Sequence, residues 1–170
     1  IKKLSDYAIL NGSKIRFMGV PKTIDNDLAG TDHTPGFGSA AKYIGSITKE
    51  VIRDGLVYDQ QSVTILEIMG RNAGWLTGAA ALAKCEDCEG PDMIFLPEIT
   101  FDVDEFMRKV ADLHKKKKSV VVAVSEGVRV ADGRYVCELT DGIDYVDAFG
   151  HRQLTGTARY LAEKISREVP

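Results

Sequence analysis

No apolar run in this 170-residue chain approaches the ~20 residues needed to span a bilayer. The longest, such as Met93–Leu96 and Val120–Val124, are strand-sized. A secretory leader is not expected, because the opening Ile1-Lys2-Lys3-Leu4-Ser5-Asp6 carries charge with no apolar core behind it. Basic charge is not in excess: 22 Lys and Arg stand against 25 Asp and Glu, a net charge of −3. No field therefore covers the chain to attract nucleic acid. The one basic run, Lys115–Lys118, reads as a solvated helix end, where cations suit the negative end of the dipole. Cysteine is scarce. Three residues, Cys85, Cys88 and Cys137, point to a reducing, cytoplasmic setting. Cys85 and Cys88 have CxxC spacing, but no second pair completes a set of four zinc ligands. They also precede Gly90-Pro91 rather than opening a helix, unlike a redox pair. Membrane proteins, nucleic-acid binders and disulfide miniproteins are thus set aside. Internal repeats and low-complexity segments are missing too. With 44% hydrophobic and 28% charged residues, the composition is that of an ordinary globular domain.

What is present is an alternation of strands and helices. Lys14–Val20 reads as a strand entering a loop at Pro21. Thr34 and Pro35 read as an N-cap and first helical residue. The helix behind them places Ala40, Tyr43, Ile44, Ile47 and Val51 on one face and ends at Asp54-Gly55. Ser62–Ile68 is rich in β-branched residues and fits a buried strand. A turn at Gly70–Gly74 leads into an Ala-rich helix from Trp75 to Lys84. Met93–Leu96 is a short strand. Asp102 caps a helix carrying Phe106, Val110 and Leu113, and Ser119–Val124 is a further strand. Val128–Val136 reads as a hairpin with a two-residue Asp132-Gly133 turn. A last helix spans Gln153–Glu168 with Leu154, Ala158, Leu161 and Ile165 inward. The order predicts a three-layer α/β/α fold with a mostly parallel sheet.

Ligands in such folds bind outside the carboxyl ends of the strands, so the loops after Val20, Ile68, Leu96 and Val124 matter most. The first, Lys22-Thr23-Ile24-Asp25-Asn26-Asp27, packs an ammonium, a hydroxyl, an amide and two carboxylates together. Phosphoryl transfer to a hydroxyl needs a base for the proton and positive charge beside the phosphate. Asp25 or Asp27 could be the base and Lys22 the cation. A turn built on local Asx hydrogen bonds would use the same residue types. The second loop, Met69-Gly70-Arg71-Asn72-Ala73-Gly74, joins a strand to a helix N-terminus. It offers backbone N–H groups and a guanidinium to an anion, or is a tight turn with a surface arginine. In the third, Ser125-Glu126-Gly127, a carboxylate at a strand mouth can accept hydrogen bonds from sugar hydroxyls, or simply face water.

Gly36-Phe37-Gly38-Ser39-Ala40-Ala41 matches G-x-G-x-x-A, but no strand immediately precedes it, as a dinucleotide turn requires. His33 and His114 read as polar caps or satisfied core residues. His151 precedes the last helix.

Taken together, PKTIDND (Pro21–Asp27), GTDHTPGFGSA (Gly30–Ala40), EIMGRNAGWL (Glu67–Leu76), LPE (Leu96–Glu98), VSEG (Val124–Gly127) and FGHRQL (Phe149–Leu154) resemble the phosphofructokinase family. The motifs occur in family order and cover nearly the whole chain. The resemblance implies an incomplete phosphofructokinase-like fold. Residues 1–34 would be the edge of a phosphoryl-donor domain and 35–170 a sugar-phosphate-binding domain. It implies a kinase-type transferase of glycolysis acting on fructose 6-phosphate with Mg²⁺, a homo-oligomer when full length. Asp25 would be the general base for the C1 hydroxyl, and Thr23 and Asp25 would line the sugar site. Met69, Gly70 and Arg71 would bind the sugar phosphate, with Arg71 also near the transferring group. Glu126 would hold the sugar hydroxyls and His151 would sit at the 6-phosphate end. Asp27 would support the metal or Arg71, the only metal role offered by this chain.

Lys22 stands where ATP-using members commonly carry glycine, which resembles the pyrophosphate-dependent branch, as does GRNAGWL. Pyrophosphate has no adenosine to anchor it, so charge must carry more of its binding. The alternatives are an ATP-dependent 6-phosphofructokinase and a non-catalytic sugar-phosphate-binding module. The chain departs from the bacterial ATP-type pattern at Ser62, Tyr145 and Leu154, where that pattern has arginines. The family's Gly-rich donor-phosphate loops and its C-terminal segment are not in the sequence. Together with the non-Met first residue Ile1, this leads to the expectation of an internal fragment, inactive by itself.

Overall fold

The computed structural model describes residues 1–139 and 156–169. Tyr145, Phe149, His151, Gln153 and Leu154 lie outside the described residues. Among the described residues three parallel strands form a sheet: β1 (Ser62–Ile68), β2 (Met93–Phe95) and β3 (Ser119–Ser125), in the order β1-β3-β2. Ser62 pairs with Ser119 and Ile68 with Ser125, while Met93 pairs with Val122. β3 is buried along its whole length. A parallel strand covered on both faces reads as an unbroken apolar run rather than an alternation, and Val120–Val124 is such a run.

Helices cover both faces of the sheet. On one side, α4 (Val103–His114) and α5 (Thr157–Glu168) close a core of Phe106, Val110, Leu161 and Ile165 over Val120, Val122 and Val124. On the other, α2 (Phe37–Gly55) and the single turn α3 (Trp75–Gly78) pack Ala40, Ile44 and Leu76 on Leu66, Ile68 and Ala123. This is the three-layer α/β/α architecture that the alternation predicts. Asp102 caps α4 as its position predicts, its Oδ1 accepting the Glu105 N–H at 2.9 Å. No helix among the described residues is long and apolar enough to cross a membrane.

Four expectations need correction, and one helix was not foreseen. Among the described residues, 14–20 pair with no strand and leave Ile15, Met18 and Val20 68%, 85% and 86% exposed. A β-prone sequence becomes a strand only where a neighbour accepts its hydrogen bonds. Ahead of this stretch lies an unexpected helix, α1 (Lys2–Leu10). Thr34 does not cap α2: Gly36, at φ 91°, holds that position, and the buried Thr34 hydroxyl lacks a partner. The Trp75–Lys84 helix is α3 followed by a 3₁₀ turn, Ala79–Ala83. The Asp132-Gly133 hairpin has a three-residue loop, with the Gly133 N–H donating to the Val130 carbonyl and the Val130 N–H to that of Arg134. A two-residue Asp-Gly turn of the hairpin type needs positive φ at both residues, and only Gly133 has it.

The last helix starts at Thr157, with Leu161 and Ile165 buried and Ala158 half-buried. The lysine run is paired: Lys115 with Asp112, Lys117 with Asp92 and Lys118 with Asp59.

Candidate functional site

The carboxyl ends of the three strands gather the predicted loops on one rim. Ile24 joins the apolar cluster under α2, beside Phe37 and Ala40. This anchor sets Asp25 over the end of β1. Around it the loop is shaped by its own polar groups: the Asp25 N–H donates to Thr23 Oγ1 at 3.1 Å, and Asn26 Oδ1 accepts the Thr34 N–H at 2.9 Å. Asn26 takes φ 61°, a left-handed conformation that Asn tolerates. The local turn is thus closed by the Thr23 hydroxyl, while Asn26 ties the loop to Thr34, eight residues on.

The Met69–Gly74 turn is held from both neighbouring strands. Gly70 donates its N–H to Glu126 Oε1 at 3.3 Å, and its carbonyl accepts the Ser125 hydroxyl at 2.8 Å. The Gly74 N–H donates to Glu98 Oε1 at 2.7 Å. Gly70 lies at φ 133°, where a side chain would be strained. Gly127 packs so closely beneath Arg71 that a Cβ would lie 2.6 Å from the Arg71 carbonyl carbon. Ser125 Oγ also accepts the Gly127 N–H at 3.0 Å. Arg71 is thus presented by a turn whose backbone is tied to β3 and to Glu98 after β2.

Electrostatics brings the loops together. Burial holds Asp25 above the usual carboxylate range and Asp27 adds to this, while Arg71 and Lys22 pull it back. One Asp25 oxygen, Oδ1, is buried with no partner. Burial likewise raises Glu126, opposed by the Gly70 N–H and by Arg71 and reinforced by Asp25 and Glu67. Lys22, Asp25, Asp27, Arg71 and Glu126 therefore act on one another across three loops. Two carboxyls that resist losing their protons beside two cations make this rim a candidate site. An apolar groove of about 430 Å³ runs beside them between α2 and β1, lined by Ile24, Ile44, Ile47, Ile65 and Met69. His151 falls outside the described residues.

Sequence reasoning missed Glu67, Glu98, Ser125 and Gly127 as structural parts of this rim. Their motifs were visible, but their partners lie 24 to 91 positions away. Cys85 and Cys88 face each other across a tight turn with reciprocal backbone hydrogen bonds. Among the described residues, no group of three or more His, Cys, Asp or Glu converges to hold a metal.

Comparison with known proteins places the chain. The phosphofructokinase family matches residues 2–169. The chain is 43% identical over 98% of its length to the pyrophosphate–fructose 6-phosphate 1-phosphotransferase of Xanthomonas campestris pv. campestris, covering 40% of that protein. It is 41% identical over 98% of its length to the enzyme of the same name from Halomonas elongata, covering 39% of it. The crystal structure of a pyrophosphate-dependent phosphofructokinase from Marinobacter aquaeolei superposes with a TM-score of 0.70 at 35% identity, over 98% of this chain and 38% of that one. The chain thus spans about 40% of the length of the curated relatives it matches. With fold, rim and motifs in agreement, the chain belongs to the phosphofructokinase family.

Proposed function

We propose that this chain forms the sugar-phosphate side of an enzyme that moves a phosphoryl group from pyrophosphate to the C1 hydroxyl of fructose 6-phosphate. The products are fructose 1,6-bisphosphate and phosphate. In this reading, residues 1–34 belong to the edge of the donor domain and residues 35–170 to the sugar domain. The observation that carries it is Asp25: a half-buried carboxylate with one unpartnered oxygen, between Lys22 and Arg71 at the strand ends.

Asp25 takes the proton of the C1 hydroxyl as its oxygen bonds to phosphorus and the bond to the departing phosphate breaks. The raised pKa makes Asp25 a better proton acceptor than an ordinary aspartate. Lys22 and Arg71 face the charge on the transferring group and its leaving oxygen. Thr23 and Glu126 hold sugar hydroxyls. Met69, Gly70 and Arg71 seat the phosphate ester, joined by His151. Mg²⁺ keeps several waters and binds one or two carboxylates plus substrate phosphates, so Asp27 suits it without a full protein cage. Asp27 would hold it, and it would neutralise phosphate charge.

A donor competition assay on the full-length protein tests the reading, with fructose 6-phosphate as acceptor and pyrophosphate or ATP as donor. Turnover with pyrophosphate is expected. Turnover with ATP alone would move the chain to the ATP-dependent branch. Lys22→Gly should lower kcat/KM for pyrophosphate about tenfold or more, since a charge-assisted contact to phosphate is lost. An unchanged value would refute the role given to Lys22. The 170 residues alone should show no turnover, and measurable activity would overturn the view that donor binding lies elsewhere.

A further inference from the structure

We infer that Glu67 is a positioning residue: its carboxylate locks the start of α5 onto the carboxyl end of β1, and so sets where Met69, Gly70 and Arg71 leave the sheet. The inference rests on the reading of that turn as the sugar-phosphate seat.

Side chains alternate along β1. Val63 and Ile65 pack on the core beneath α4 and α5, and Leu66 and Ile68 on the one beneath α2. Glu67 therefore points toward α5. There Oε1 accepts the Gly156 N–H at 3.1 Å and Oε2 accepts the Ala158 N–H at 2.8 Å. These belong to the N–H groups that the first turn of any helix leaves unpaired. No cap comes from α5 itself: Gly156 occupies the N-cap position and has no side chain to offer. A carboxylate 89 and 91 positions earlier does the work of a local Ser or Asp. Its charge also suits the positive end of the helix dipole.

Two further observations give the tie its importance. Among the described residues β1 is an edge strand, paired only with β3. Its carboxyl end has no second strand to hold it, and α5 takes that place. The carboxylate also has a cost, because the Glu67 charge makes the neighbouring Glu126 harder to ionise. A glutamine would avoid that repulsion but offers one acceptor oxygen where α5 uses two. The residue type thus follows from the double capping, and the double capping from the need to hold the strand end beneath Arg71.

The test compares Glu67→Ala and Glu67→Gln in the full-length protein, by amide hydrogen exchange and by steady-state kinetics for each substrate. In Glu67→Ala, exchange should quicken at Gly156 and Ala158 and also at Gly70 and Arg71. KM for fructose 6-phosphate should rise about tenfold or more, because small misplacements of a binding group are costly, and should rise more than KM for pyrophosphate, which shares only Arg71 of this turn. Glu67→Gln should fall between wild type and Glu67→Ala, and is the variant to compare if Glu67→Ala does not fold. Faster exchange confined to α5 with an unchanged sugar KM would reduce Glu67 to a simple cap and overturn the inference. So would a KM for pyrophosphate that rises more than the KM for fructose 6-phosphate. If the wild type fails to use fructose 6-phosphate with either donor, the functional reading falls. The exchange at Gly70 and Arg71 then still decides whether Glu67 holds the turn.

Discussion

Replacing Asp25 by Asn should lower kcat about 10²–10⁴-fold, the usual contribution of a positioned general base, with a modest change in KM for fructose 6-phosphate. The amide keeps the size of the side chain and its hydrogen bond to Thr23, made through the backbone N–H, but cannot take the proton. Unchanged turnover would remove Asp25 from the mechanism. The pH dependence follows from the same residue. Burial, with help from Asp27, raises its pKa, so the acid limb of kcat/KM should lie above the ~3.9 of an ordinary aspartate and fall as pH drops through it. Stability should run the other way. A carboxyl whose pKa is higher folded than unfolded binds its proton more tightly in the native state, so that state gains stability as pH falls through the raised value. Asp25→Asn should therefore raise the melting temperature at neutral pH while abolishing activity. A variant that is both inactive and less stable would show that the charge is better accommodated than its burial implies.

The second large effect is expected from a residue with no side chain. Gly127→Ala places a methyl against the Arg71 backbone, 2.6 Å from its carbonyl carbon. Neither side yields easily: Gly127 is bound to Ser125 Oγ, and the turn opposite is bound to Ser125, Glu126 and Glu98. Overpacking of this kind costs about 1–3 kcal/mol. The relief available is to push the Arg71 turn outward, and a shift near 1 Å at a binding group is worth about a hundredfold. Urea unfolding and the KM for fructose 6-phosphate should both register the change. Wild-type kinetics in Gly127→Ala would mean that the turn tolerates displacement and that Arg71 does not depend on it.

How much of this was legible in the sequence depends on the reach of each interaction. Local signals were mostly reliable: β-branched residues in Ser62–Ile68 and Ser119–Val124, the Asp102 cap, and the apolar stripe of α2 at Ala40 and Ile44, although Tyr43, expected on the same face, is 66% exposed. Lys14–Val20 has the same strand-like composition, yet composition cannot say whether a partner is present, and among the described residues none is. The Asp132-Gly133 turn went astray by one residue because dipeptide identity does not determine φ at Asp132. The chemistry of Lys22, Asp25, Arg71 and Glu126 could be read as separate loops, since each residue type suits a phosphorylated sugar. Their mutual effect could not be read, because it depends on β1 and β3 pairing with Ile68 opposite Ser125. Glu67 was hidden for the same reason: as a strand residue it looked like an ordinary alternation, and its helix partner lies far along the chain.

The strand order has a consequence for how the protein is made. Of the described strands β3 is the last to be synthesised, yet it sits between the other two, each of which pairs with it. Until Ser119–Ser125 has emerged, β1 and β2 have no sheet to join, and Ile65, Leu66, Ile94 and Phe95 lack the surface they later pack against. Such distant parallel pairings form slowly, and apolar strands waiting for them are prone to clump. The nascent chain is thus most in need of a chaperone between the arrival of β1 and that of β3. A destabilising change in β3 would be felt first as poor yield during synthesis, before any loss of activity in molecules that reach the folded state.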